Sequence, residues 1–303
     1  MTIPQPGIFA LGTPENAYLE LDLVRPDALE EVLRHLMKLP ANHTEGGCSM
    51  VVGVRPSLWR SLHPDQTPVD AEDWSEPITG KSGYQMPATQ HDLWVWLAGA
   101  ERAVLFDRTT ELRAAVAGLA EVIVELSGWH YKQSRDLTGF IDGSENPPLV
   151  EAASAACVAP GEPGAGATVL LFQQWRHEKH WATLSEQDQE KVIGRTKPDS
   201  IELPEDEMPE NSHVSRTVVE HDGEELDILR RNVAYGVTGD HGTLFVGFSK
   251  DQHRQFEMLR RMAGVDGVRD ALTRFTTPLS GSVYVVPSAT ALCAYLPEDE
   301  DED

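Results

Sequence analysis

Residues 17–54 read AYLELDLVRPDALEEVLRHLMKLPANHTEGGCSMVVGV. Apolar residues alternate over 17–23, recur at helical spacing over 26–39 and form a strand-like run over 49–54. That sequence of periods predicts strand, helix and strand. The order then returns: a Pro-, Asp-, Ser- and Gly-rich loop over about 61–89 leads to a strand at 92–97, a helix at 109–120 and a strand at 122–126. Residues 146–167, with Pro147-Pro148 and the glycines after Gly161, read as a linker, which sets a boundary near 150. Beyond it, strands are predicted over 168–175, 214–220, 227–229, 243–248 and 282–286, and helices over 185–193, 251–262 and 266–275. Repeated β-α-β-β-α-β order predicts an α+β fold of two ferredoxin-like units, each an antiparallel sheet with helices on one face. The expected division is 1–150, 151–296 and an acidic tail at 297–303.

A length of 303 residues suits two such units. With 40% hydrophobic and 24% charged residues the composition is that of a globular chain, and no run reaches the roughly 18 apolar residues of a membrane-spanning helix. The net charge of −24, to which the six consecutive acids 298–303 contribute, repels phosphate backbones and anionic lipid. Nucleic acid and membrane are therefore not expected partners. No Lys or Arg precedes Arg25 and no sustained apolar stretch opens the chain, so no export signal is read and a cytoplasmic location is expected. Cys48, Cys157 and Cys293 are odd in number and lack a CxxC, which speaks for core residues rather than disulfides or a thiolate zinc site.

Two short segments carry chemistry. His213 lies in Asn211-Ser-His-Val-Ser-Arg216, at the entry to the strand predicted over 214–220. Asp142 lies in Gly139-Phe-Ile-Asp-Gly143, where two glycines let the backbone take positive φ and aim the carboxylate into a cavity. Either segment alone reads as an ordinary strand end or an Asp-Gly turn. Together, and followed by Arg230-Arg231-Asn232, they resemble the dye-decolourising peroxidases, in particular the B-type bacterial members: the GxxDG, histidine and Arg-x-Asn motifs stand in the family's order and separations.

The resemblance implies two ferredoxin-like domains with haem b held mainly by the second. It makes His213 the proximal iron ligand, places Asp142 and Arg230 on the peroxide side and puts Asn232 beside them. A carboxylate on the second imidazole nitrogen would raise the ligand's basicity; Asp270 is the candidate, with Asp266 as the alternative. Asp142 can carry a proton between peroxide oxygens, while Arg230, always charged, can stabilise developing negative charge. Arg231, its neighbour on a predicted strand, should point the other way and serve as a surface or ion-pair residue. Arg195, in Val192-Ile-Gly-Arg-Thr-Lys197, is the candidate partner of a haem propionate, the alternative being a solvent-facing helix-end arginine. Phe245, in an apolar strand, is the candidate to lie against the haem face.

The function implied is reduction of hydrogen peroxide coupled to one-electron oxidation of dyes, phenolics or Mn(II), with cationic donors favoured at low salt by the acidic surface. The alternatives are a haem-handling protein, either a carrier or an iron-releasing enzyme, and a scaffold without cofactor. Trp94 and Trp96 have strand spacing and should share a sheet face, and an exposed Trp or Tyr is expected to relay oxidation to bulky dyes. His177 and His180 lack acids at zinc-ligand spacing and are expected on the surface. The resemblance further implies a homo-oligomer, while the acidic end speaks against the apolar peptide that docks encapsulin cargo.

Overall fold

The computed structural model describes residues 2–40, 47–221 and 223–297. The first half contains β1 (Glu15–Leu23), α1 (Leu29–Met37), β2 (Cys48–Val54), β3 (Leu93–Gly99), α2 (Arg102–Ala115) and β4 (Ala120–Trp129). The second contains β5 (Thr168–His177), α3 (Glu186–Ile193), α4 (His213–Thr217), β6 (Leu229–Arg230), β7 (Val233–Val237), β8 (Asp240–Ser249), α5 (Gln252–Ala263), β9 (Thr276–Pro278) and β10 (Ser282–Val286). Spatially the first half runs β4-β1-β3-β2 and the second β10-β5-β8-β7, both antiparallel. This is the ferredoxin-like strand order, used twice.

The two sheets join end to end. β7 pairs with β4 through Ala234–Trp129 and Tyr235–Gly128, and β10 pairs with β2 at Val285–Val54. With β8 also bonded to β5, eight strands close into a ring that leaves no open edge between the halves. Gly128 allows one seam to close, since a Cβ there would stand 2.4 Å from Val233 Cγ2.

Ring closure explains why these strands are apolar on both faces. Alternation sends Tyr18, Trp94, Trp96, Phe172, Phe248 and Tyr284 into the ring interior, and Leu19, Leu21, Val95, Val169 and Val283 outward beneath the helices. Trp94 and Trp96 do share a face, with ring centroids 6.2 Å apart. Helix α1 buries Leu29, Val32, Leu33, Leu36 and Met37, the spacing that made it legible.

Several expectations are corrected. The strand predicted over 214–220 is instead the short helix α4, because Ser212 caps it by accepting from Ser215 N, and only Glu220–His221 remain extended. The helix predicted over 266–275 shrinks to a 3₁₀ turn at Ala271–Arg274: Gly267 sits at φ +114° and the Asp270 side chain caps Leu272 N. Helix α2 lies earlier than 109–120 and stops at Val116, before Gly118 at φ +80°. Cys157 is buried as expected, but Cys48 is half-buried and Cys293 exposed. Among the described residues Trp129, Tyr84 and Tyr131 are the most accessible Trp and Tyr side chains, each half-buried, and the rest are buried. His180 is exposed, whereas His177 is buried against Thr243 Oγ1 at 3.0 Å, because its position on β5 turns it beneath the sheet.

Candidate functional site

The outward faces of β5 and β8 offer Gln173, Trp175, His177, Thr243 and Phe245 as one wall of a cleft. Helices α4 and α5 and the 3₁₀ turn supply His213, Met258, Met262 and Leu272 opposite, and the segment 136–145 covers the top. The cleft encloses about 1380 Å³, part of it continuous with solvent.

His213 is the first residue of α4, held by the Ser212 cap. Its Nδ1 lies 2.7 Å from Asp270 Oδ2. Asp270 is wholly buried, accepts at Oδ1 from Leu272 N at 2.8 Å and donates its own N–H to Met262 O. A carboxylate so fixed makes Nδ1 the protonated nitrogen and leaves the Nε2 lone pair for the cleft. Asp266, the alternative acid, is instead paired with Arg216.

Across the cleft, Gly139 and Gly143 take φ +95° and +83°, as the motif requires. Asp142 N donates to Ser134 O at 2.7 Å, and Asp142 Oδ2 accepts from Asn232 Nδ2 at 2.9 Å. Asn232 lies in the break between β6 and β7, where its Oδ1 accepts from Val246 N at 2.9 Å in place of a backbone carbonyl. Asn146 clamps Arg230, accepting from its N–H at 2.8 Å and donating to its carbonyl at 2.9 Å. Arg230 lines the cleft with Nε buried and without a partner. Such an orphaned charged donor calls for an anionic or oxygen ligand.

Arg231 does not line this cleft, and it is neither a surface nor an ion-pair residue. It is half-buried, donates to Ile8 O and Ala10 O, and its guanidinium sits 5.4 Å over Trp96. Arg195 lines the cleft, its side chain mostly covered, with Glu145 at 2.9 Å and Glu202 at 3.0 Å. Phe245 is on the cleft wall.

Sequence reasoning missed Asp136, Asn146, Gln173 and His177. Asp136 accepts from Thr138 N at 2.8 Å, and burial, with the Asp142 carboxylate nearby, pushes its carboxyl up to about 6. Burial and neighbouring His241 push His177 down to about 4. Asp136 and Asn146 stand just outside the Gly139–Gly143 segment, on either side of it; no local signal marks the other two.

An imidazole with a free nitrogen, apolar walls and a carboxylate-arginine pair opposite fit a haem with its iron on His213. Residues 133–291 match the family model described as Dyp-type peroxidase, C-terminal. The chain is 34% identical over 254 residues to a dye-decolorizing peroxidase of Rhodococcus erythropolis, covering 82% of this chain and 74% of that one. The chain belongs to the dye-decolourising peroxidase family. Among solved structures of the family, DyPB of Rhodococcus jostii RHA1 aligns with TM-score 0.86 and 32% identity over 95% of this chain and 97% of that one. A putative dyp-type peroxidase of Shewanella oneidensis aligns with TM-score 0.87 and 27% identity over 97% and 99%. Variants of the R. jostii peroxidase have been solved with heme, and one with manganese. These DypB neighbours agree with the B-type motifs.

Proposed function

We propose that this member of the family is a haem-dependent peroxidase that reduces hydrogen peroxide and oxidises dyes, phenolics or Mn(II) in one-electron steps. The observation that carries the reading is the His213–Asp270 pair at 2.7 Å facing Asp142, Asn232 and Arg230 across one cleft. Bound haem, of the b type, would supply the iron at which peroxide exchanges electrons. His213 Nε2 would hold that iron, and Asp270 would keep the Nδ1 proton in place and make the ring a stronger donor. Asp142, oriented by Asn232 Nδ2, would carry a proton from the inner to the outer peroxide oxygen. The unpartnered Arg230 Nε would meet the oxygen on which negative charge develops. Arg195 would meet a propionate by exchanging it for Glu145 or Glu202.

The reading extends to a cytoplasmic homo-oligomer, with 1–150 and 151–296 as its two units. The visible spectrum of the purified protein beside a His213→Ala variant tests the haem and its ligand together. A Soret band in the first that is lost or displaced in the second is expected; an unchanged band would overturn the ligand assignment. A spectral change within about a second of adding one equivalent of peroxide is expected of a peroxidase, and a haem-handling protein would lack it.

A further inference from the structure

Two loops, one from each half of the chain, supply residues to the haem cleft. The first, 131–145, carries Asp142 and covers the top. The second, 195–202, follows α3, carries Arg195 and folds back on itself through the bond from Thr196 N to Ile201 O. Among the described residues no backbone–backbone hydrogen bond joins the two loops.

Side chains join them instead, and Arg135 makes most of the bonds. Its Nη1 donates to Gly139 O and to Lys197 O, each at 2.8 Å, and its Nη2 donates to Pro198 O at 2.7 Å. One guanidinium thus fixes the start of the GxxDG motif against the turn after Arg195, a task for a planar fork rather than a flexible ammonium. The loops touch at Gly139, where a Cβ would stand 2.7 Å from Lys197 Cε, so the first glycine of the motif lets them close. Lys197 is fastened to α3 in turn, through Nζ to Gln189 Oε1 at 2.6 Å and through its N–H to Glu190 Oε1 at 2.8 Å.

Arg135 is presented by a costly turn. Lys132, Gln133 and Ser134 take φ +28°, +55° and +64°, a left-handed course that residues with a Cβ rarely follow. Such a turn persists where its surroundings over-determine it. Here Ser134 O accepts from Asp142 N at 2.7 Å, and Arg135 N donates to Tyr131 O at 3.1 Å. The same turn therefore aims Arg135 at the second loop and holds the backbone of Asp142.

The other polar links between the loops are fewer. Ser200 Oγ and Ser144 Oγ stand 3.3 Å apart, and Lys197 Nζ lies 5.7 Å from the Phe140 ring. Glu145 meets Arg195 at 2.9 Å, the pairing that a propionate would displace.

We propose that Arg135 is a positioning residue, the pin that holds the Asp142 loop against the Arg195 loop, and that haem leaves the cleft only when this pin lets go. The inference rests on the haem reading of the cleft and adds to it the step that limits release of the cofactor.

The test follows haem transfer from the loaded protein to excess apomyoglobin, with amide hydrogen exchange measured alongside. Arg135→Ala and Arg135→Lys should both release haem at least about tenfold faster than the parent, because bonds from a charged donor no longer oppose opening. The Soret position should not change, since His213 is untouched. Exchange should rise over 136–145 and stay as it was in α1. Arg113→Ala, which removes an arginine paired with Glu125 outside the cleft, should release haem at the parent's rate. Release at the parent's rate in both Arg135 variants, or acceleration with exchange raised equally in α1, would overturn the proposal. A parent protein that takes up no haem would remove it together with the peroxidase reading, whereas haem taken up but unresponsive to peroxide would remove the peroxidase reading alone.

Discussion

Asn232 has two duties at atomic scale, donating to Asp142 Oδ2 and accepting from Val246 N where the strand is broken. Asn232→Ala should therefore cost about 1–3 kcal/mol of stability, through two buried groups left unpaired, and slow the reaction with peroxide. Denaturant unfolding with an unmoved midpoint would contradict this. Two titratable groups, half-buried Asp136 and buried His177, act on stability with opposite sign. The Asp136 carboxyl holds its proton until about pH 6 when folded and releases it near pH 3.9 when unfolded. The unfolded chain thus binds fewer protons in that window, stability falls as pH rises through it, and the loss persists above. Asp136→Asn, which keeps the acceptor for Thr138, should gain about 2 kcal/mol at pH 7 and much less at pH 4. His177 behaves the other way: neutral down to about pH 4 when folded, it would protonate near pH 6.5 when unfolded. Its share of stability is complete above pH 6.5 and lost as pH falls toward 4, so His177→Gln should flatten the acid limb of a stability-against-pH curve. Parallel curves for either variant and the parent would refute the assignment.

Among elements, α4 is the one that sequence reading mistook. Val214, Thr217 and Val218 suggest a strand, and β-branched residues do favour one. The Ser212 side chain decides otherwise by capping the first turn, and this turns His213 toward Asp270. Ser212→Ala should cost about 1 kcal/mol and loosen the His213 imidazole proposed to hold the iron, visible as heterogeneity in the low-temperature EPR spectrum of the ferric protein. A single sharp ferric species in the variant would argue that Asp270 alone holds the imidazole. Helix α5 was legible to within a residue because both ends are marked: Asp251 caps the start and Gly264 takes φ +74° at the end. Of the two adjacent arginines only Arg230 lines the haem cleft, and the backbone clamp on it from Asn146, 84 residues away, has no local trace.

At the scale of the molecule, the net charge of −24 sets up an acidic field. The field governs encounter: raising ionic strength from about 0.01 to 0.15 M shortens the screening length from roughly 30 to 8 Å. The rate constant for a cationic donor should fall across that range and that for an anionic donor should rise. Stopped-flow rates moving together for both donors would show that the surface charge does not steer them. Six of the seven tryptophans are buried packing residues, and Trp129 is half-buried.

The sequence by itself determined the doubled strand-helix order, the family and the residues of the three motifs, because periodicity and glycine-bounded turns are local properties. It also contained Asp270 and Asp266 as equal candidates for one role. Only the tertiary structure separated them, by placing Asp266 on Arg216 and Asp270 on His213. The same holds for the ring of eight strands, whose two seams join segments remote in the chain, and for the burial of His177 and Arg231. Pairing between distant groups is decided by packing, and packing is not written in any one stretch of residues.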